Sequence, residues 1–379
     1  MKKILYVIGS LEVGGAEKHL LSIALSMKRL GYRIELFVLE PGGPLAVNYA
    51  EASIPIFSPV SGDHIKKITK NKKVLAYYRA VLAFLCLVKT FYVRRPDIAH
   101  FFLPTAYIIG GAASLFYPLS KRIMSRRSLN FYQEKSSYVA CIERFLHRKM
   151  NYICANSKAV LNDLKGEGVT EDKLKLIYNG IDVESFLKIR RPLTRLELDI
   201  GKDDVVFVIT ANLIPYKGHR DLIEAFALIK GKMNRQNWKL IFIGRDDGIG
   251  ENLKKRAEQC GIRKNLVFLG GHKEVSSILN IADVGILSSH EEGFSNAILE
   301  YMASSLPVVV TNVGGNSEAV INNKTGFVVD AHSPEQLAEK LLEIYNIENR
   351  REIGKSAYSR VKKYFSKKEC VSSYLELYT

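Results

Sequence analysis

The sequence predicts an α/β protein of two successive units, each a mostly parallel sheet covered by helices. Three observations predict it. The chain has 379 residues, too many for one ordinary α/β core and suited to two of roughly 150–190 residues each. Short apolar, β-branched runs alternate with helical stretches. The alternation breaks once, at the polar stretch Asp182–Lys202 with Pro192, and then restarts.

In order, the first-half strands are Ile4–Ile8, Ile34–Leu39, Ile98–Phe102, Arg122–Ser125, Tyr152–Ala155 and Leu174–Ile177, with helices Ala16–Leu30, Val74–Val93 and Ser157–Lys165 between them. The second half gives strand Val205–Ala211, helix Arg220–Ile229, and strands Lys239–Gly244, Leu266–Leu269, Val284–Leu287 and Val308–Thr311. Helix Asn296–Ser304 lies before the last of these, and the tail from about Arg350 is helical and charged. This is a doubled Rossmann-like plan, α/β in class, with ligands expected at the carboxyl ends of the strands.

Composition narrows the classes. Hydrophobic residues make up 47% and charged residues 25%, as in a globular protein. The first apolar run, Ile4–Ile8, is too short for the h-region of a signal peptide. Cys86, Cys141, Cys154, Cys260 and Cys370 are scattered and show no CxxC spacing, which suits a reducing cytoplasm and gives no zinc site. The net charge is +16, and it is uneven: residues 1–190 hold 29 Lys+Arg against 15 Asp+Glu, residues 191–379 only 26 against 24. His64–Arg95 holds nine basic residues, no acid, and the apolar run Val74–Leu87. A basic cluster beside an apolar helix suits an anionic membrane surface, although a buried amphipathic helix after a solvated loop has the same pattern. Arg79 and Lys89 interrupt the run and argue against a transmembrane span. No nucleic-acid recognition motif accompanies the charge.

Three constellations carry chemistry. Gly14-Gly15-Ala16-Glu17 follows the first strand and opens a helix, where free N–H groups favour an anion. Asn212 to His219 (NLIPYKGH) ends the first strand of the second unit, and Lys217 there has the charge to neutralise a diphosphate. Glu292 to Glu300 (EGFSNAILE) places two carboxylates around a helix start, its loop Gly293, Phe294, Ser295 and Asn296 offering backbone groups to hydroxyls or phosphates. Glu300, flanked by apolar neighbours, is a fitting acceptor for the paired hydroxyls of a ribose.

At these residues the chain resembles glycosyltransferase family 4 of the GT-B fold. The likeness runs through GGAE (14–17), PDIAH (96–100), ANS (155–157), IYNGID (177–182), PYKGH (215–219), EGFSNAILEYMA (292–303), LPVVVTNVGGNSE (306–318) and TGFVV (325–329). It implies two Rossmann-like domains facing across a cleft: an acceptor-binding domain 1–186, a nucleotide-sugar-binding domain 187–358, and a C-terminal helix 359–379 packing back on the first. It further implies a retaining, metal-independent hexosyltransferase using an NDP-sugar, UDP- or GDP-linked, with no cofactor. Glu300 would clasp the ribose, Glu292 the transferred sugar, and Lys217 the diphosphate. Gly14, Gly15, Asn212, Gly244 and the Gly293–Asn296 loop complete the donor set, and the base and sugar would be chosen near Gly271–Val275 and Gly293–Asn296. The absence of a DxD motif agrees with metal independence; Asp203-Asp204 and Asp246-Asp247 are adjacent pairs in loops.

Two departures matter. Many relatives carry arginine where this chain has Asn212, and a histidine where it has Ser125-Arg126-Arg127-Ser128-Leu129. Arg127 or Arg126 is the candidate to supply the missing cation; the alternative is that both bind acceptor or face solvent. His100, ending PDIAH, is a candidate for orienting acceptor or sugar, or a satisfied structural histidine; His219 and His272 have weaker claims. The basic first half suggests a lipid-linked acceptor on the cytoplasmic face of a cell membrane, in polysaccharide or glycan assembly. The alternative is a non-catalytic sugar-nucleotide or membrane-binding protein on a degenerate GT-B scaffold.

Overall fold

The computed structural model describes residues 2–59, 71–134, 137–188, 191–233, 237–272 and 274–379. The His64–Lys70 part of the basic stretch, and Lys273 within Gly271–Val275, lie outside them. The chain forms two compact units: Met1–Tyr178 with Cys370–Thr379, and Asn179–Glu369.

The first unit is built on a seven-stranded sheet: β1 (Lys3–Ile8), β2 (Arg33–Val38), β3 (Ile56–Phe57), β4 (Ile98–Phe102), β5 (Lys121–Arg126), β6 (Tyr152–Ala155) and β7 (Leu174–Leu176). Their spatial order is β3-β2-β1-β4-β5-β6-β7, every pair parallel. Helices on both faces explain why the strands are continuously apolar. Successive side chains enter opposite cores. Ile4, Tyr6 and Ile8 meet Leu20, Ile23 and Met27 of the helix Gly15–Arg29. Leu5 and Val7 face the core that holds Leu87, Phe91 and Tyr107.

The second unit has β8 (Val205–Thr210), β9 (Trp238–Ile243), β10 (Leu266–Gly270), β11 (Val284–Leu287), β12 (Val308–Thr311) and β13 (Gly326–Val329), in the order β10-β9-β8-β11-β12-β13 and again all parallel. Val205, Phe207 and Ile209 pack under the helices His219–Ile229 and Pro334–Asn346. Strand order reverses beside β1 and β4 in one unit and beside β8 and β11 in the other. A doubly wound sheet opens a ligand crevice at that point. Two Rossmann-like domains are therefore present.

The compact units divide at Tyr178/Asn179, and the segment after Tyr178 is stitched into the second unit. Asn179 Nδ2 donates to Phe294 O at 3.0 Å and to Asn296 Oδ1 at 2.6 Å. Ile181 N donates to Phe365 O, and Lys367 N returns to Ile181 O, both at 2.9 Å. At the other end the chain rejoins the first unit from Cys370, inside the helix Lys367–Tyr378. Cys370, Tyr374, Leu377 and Tyr378 fill the core beneath β1 and β4.

The helix Lys72–Arg94 starts at Asn71, whose side chain accepts from Lys73 N at 3.0 Å, and stops at Arg95, which turns left-handed (φ 51°) before Pro96. Ala83, Leu87 and Phe91 are buried, whereas Tyr77 and Leu85 are 75% and 58% exposed. By length and composition alone this helix could cross a membrane, with mean hydropathy 1.6 over its most apolar 18 residues. It belongs to the first unit, where its buried stripe joins the core.

Candidate functional site

In the second unit the polypeptide leaves β8 through a short turn, Pro215–Lys217, and leaves β11 through Ser288–Ser295. Both turns lie where strand order reverses, and they are joined. His290 N donates to Tyr216 O at 2.7 Å, and Ser288 Oγ to Gly218 O at 3.0 Å. Lys217 Nζ donates to Glu292 Oε1 at 2.6 Å, and Ser289 Oγ donates to the same oxygen at 2.9 Å. The two side chains are 18% and 11% exposed. A lysine and a carboxylate 75 residues apart thus form one half-buried ionic group at the carboxyl edge of the sheet.

The loop carrying Glu292 is held on several sides. Asn179 grips the Phe294 carbonyl and the Asn296 side chain. Gly315 N donates to Gly293 O at 2.8 Å. Gly314 has φ 52°, and a Cβ there would collide with the Glu292 carbonyl oxygen, so only glycine lets the two loops approach this closely. The loop then opens the helix Asn296–Ala303, in which Glu300 is half-buried on the second turn. Tyr301 fixes that turn against the sheet. Its hydroxyl accepts from Thr210 N at 2.6 Å and donates to Ile286 O at 3.1 Å. Glu300 is thus carried on a turn fixed against the sheet.

The other expected donor residues differ in role. Phe294 turns its ring inward against Phe365, centroids 5.4 Å apart, so its side chain packs. Ser295 takes the helix N-cap position, with no capping bond from its side chain. Asn212 Oδ1 accepts from Arg245 N at 3.2 Å, tying the ends of β8 and β9 together. Gly244 is needed for the same join, because a Cβ there would run into the Ala211 carbonyl.

Four expected residues lie in the first unit. Gly14 caps the helix Gly15–Arg29, and the Glu17 carboxylate folds back against it. Burial raises the Glu17 pKa, opposed by its own backbone N–H and by Arg127. This helix start therefore already has an acid beside it, which the anion-site expectation for Gly14 and Gly15 did not include. Arg127 is largely buried; burial lowers its pKa, against stabilising contacts with Tyr374 and Glu17. His100 is fully buried, with Nδ1 2.7 Å from the Tyr378 hydroxyl and Nε2 2.8 Å from Ser125 Oγ. Burial, then the Arg127 charge, lowers its pKa well below the usual histidine value. Of the two readings of His100, this burial favours the structural one, with the ring facing the core into which the C-terminal helix packs. His219 is likewise buried, stacked on Phe242, and burial brings its pKa to about 4.

Arg126 places its charge inside the first unit. It is fully buried and pairs with Glu143 Oε2 at 3.0 Å and with Glu167 Oε1. Gln133 bridges the two acids, and His147 Nε2 lies 3.0 Å from Glu167 Oε2. Burial alone would raise the Glu167 pKa; hydrogen bonds from His147 and Arg126 outweigh it and bring it to about 2.

Asn179 and Ser289 had no assigned role in the sequence reading. Asn179 lies in the quoted IYNGID segment, and that spacing was the available signal.

Comparison with known proteins agrees with this architecture. Residues 13–185 match the family model described as Glycosyltransferase Family 4, and residues 191–360 the one described as Glycosyl transferases group 1. The chain is 27% identical over 317 residues to the capsular polysaccharide biosynthesis glycosyltransferase CapM of Staphylococcus aureus, covering 80% of this chain and 82% of that one. It is 24% identical over 358 residues to D-inositol 3-phosphate glycosyltransferase of Corynebacterium glutamicum (strain R), covering 88% and 84%. Its fold is similar to that of Anabaena Alr3699/HepE, solved in complex with UDP-glucose, with TM-score 0.82, 20% identity, and 100% and 99% of the two chains covered. Two doubly wound units, matched in order by these two families, place the chain among the family 4 glycosyltransferases of the GT-B fold.

Proposed function

We propose that this enzyme moves a hexosyl group, with retention, from a UDP- or GDP-linked sugar to the hydroxyl of a lipid-linked saccharide in cell-surface polysaccharide or glycan assembly. The observation that carries the reading is the Lys217–Glu292 group at the switch point of the second sheet, with Glu300 on the second turn of the helix that the Glu292 loop opens. Lys217 meets the diphosphate, Glu292 the sugar hydroxyls and Glu300 the ribose. The bond from the anomeric carbon to the diphosphate oxygen breaks, and that oxygen keeps the electron pair. The acceptor oxygen bonds to the same face of the carbon, and its proton leaves with the diphosphate. Charge collects on the leaving group, and a fixed cation aimed there lowers the barrier. Lys217 meets that need without a bridging metal. CapM supports the polysaccharide setting by its name, and the HepE complex supports a nucleoside diphosphate sugar as donor.

Donor binding tests it. Glu300→Ala is expected to weaken binding of the preferred NDP-sugar about 10- to 100-fold by calorimetry, as two hydroxyl bonds to a charged acceptor are lost at about 1–3 kcal/mol in all. Unchanged affinity would remove Glu300 from the site.

For the acceptor side, the first unit presents exposed Val74, Tyr77, Leu85, Tyr92 and Val93 beside exposed Lys72, Lys73, Arg79 and Lys89. Apolar and basic side chains on one helix fit the interface of an anionic bilayer at the cytoplasmic face. The protein is expected to float with anionic liposomes at low salt and to be released as salt screens the charges. Equal recovery with neutral and anionic liposomes, or none with either, would sink the membrane reading.

A further inference from the structure

Beside the Glu292 loop, three side chains without a part in the donor chemistry meet. Asp221 comes from the first turn of the helix His219–Ile229, His290 from the loop after β11, and His332 from the turn after β13. Their candidate ligand atoms all lie within 4.8 Å of one another, the one such group among the described residues. His290 Nε2 is 2.8 Å from Asp221 Oδ2, and the His290 and His332 rings are 3.7 Å apart, tilted by 35°.

We infer that Asp221, His290 and His332 form a binding site for a divalent transition-metal ion, zinc(II) in character. Donor atoms around a tetrahedral ion held at about 2.0–2.1 Å stand roughly 3.4 Å apart. The present atoms, all within 4.8 Å, close to that spacing as the His290 and His332 rings, now 3.7 Å apart, turn their nitrogens toward the ion. Two imidazoles and one carboxylate are a borderline donor set that suits zinc and its neighbours. Magnesium and calcium take oxygen ligands instead. Asp221 and His290 are half-buried, and His332 is exposed, so an ion can enter and keep water in its fourth position.

The ligands are supported by the chain around them. Asp221 sits on a helix, and the His290 backbone is bonded to Tyr216 O. An ion there ties together the loops that follow β8, β11 and β13, including the turn that carries Lys217. It is a clamp on the unit and takes no place in the transfer step.

Cobalt(II) titration of the untagged full chain tests this. One equivalent is expected to produce visible absorption bands of a four- or five-coordinate site, to raise the thermal midpoint, and to be displaced by zinc(II). His332→Ala, an exposed position that should fold normally, and His290→Ala are each expected to weaken binding at least about tenfold. Failure of the wild type to bind one equivalent, or full binding by both variants, would overturn the site. Neither outcome depends on the donor reading, which the Glu300 experiment tests separately.

Discussion

Replacing Lys217 by alanine is expected to lower transfer by about 10²–10³-fold, the usual effect of removing one fixed stabiliser of developing charge. Its ammonium is the charge that the Pro215–Lys217 turn brings to the switch point, and position 212 supplies none, because it is asparagine. The loss should appear mainly in kcat, since the diphosphate charge grows as the bond to the sugar breaks. Lys217→Arg should retain part of the rate, keeping the charge but presenting a fork in place of a point donor. The fold should survive, because Glu292 still accepts from Ser289 and the turn is held through the Tyr216 carbonyl. Steady-state kinetics together with a melting curve separate the two effects. A variant that melts normally but keeps wild-type turnover would remove Lys217 from the chemistry.

Arg126→Met is expected to destabilise the first unit by about 3–5 kcal/mol, as when one partner of a buried ion pair is removed. The guanidinium is fully buried between Glu143 and Glu167, and its loss leaves two buried carboxylates without the cation they share, although Gln133 and His147 still reach them. Denaturant unfolding should show the loss, with turnover per folded molecule unchanged. Acid should produce a related effect in the wild type. The Glu167 pKa is depressed to about 2, so its stabilisation is full above the ordinary carboxylate value and is lost as pH falls from about 4.5 through 2. In Arg126→Met part of that acid dependence should disappear. A stable but inactive Arg126→Met would show instead that the arginine serves the reaction.

Why the sequence could not separate Arg126 from Arg127 is a matter of strand geometry. Adjacent residues at a strand end leave on opposite faces. Arg126 follows Met124 into the face that carries Glu143 and Glu167, whereas Arg127 emerges toward Tyr374. Composition is blind to that choice. His100 shares the face of Ile98 and Phe102. Its partner Tyr378 lies 278 residues away, on a helix whose return only the family resemblance suggested.

The buried strands were legible for a plainer reason. β4, β6, β11 and β12 are apolar runs covered on both faces, and their bounds agree with the sequence reading. The two-residue edge strand β3 is too short for a pattern. The helix Pro334–Asn346 shows its apolar face only at helical spacing among charges, and it too was missed. At the site, Lys217, Glu292 and Glu300 were each legible from residue type beside a helix or strand end. Their organisation was not: the Lys217–Glu292 pair, the Asn179 clasp and the Asp221–His290–His332 group all join segments far apart in sequence.

That the second unit holds a nucleoside diphosphate sugar for transfer is tested by donor consumption. A panel of UDP-, GDP- and ADP-sugars would be incubated with the wild type and with Lys217→Ala, with and without EDTA, in the presence of a membrane lipid extract to supply acceptor. A UDP- or GDP-sugar is expected to be consumed, with consumption persisting in EDTA and falling at least about 100-fold in the variant. Consumption that the wild type and Lys217→Ala share equally, or none of any donor by a wild type that also binds none, would contradict it.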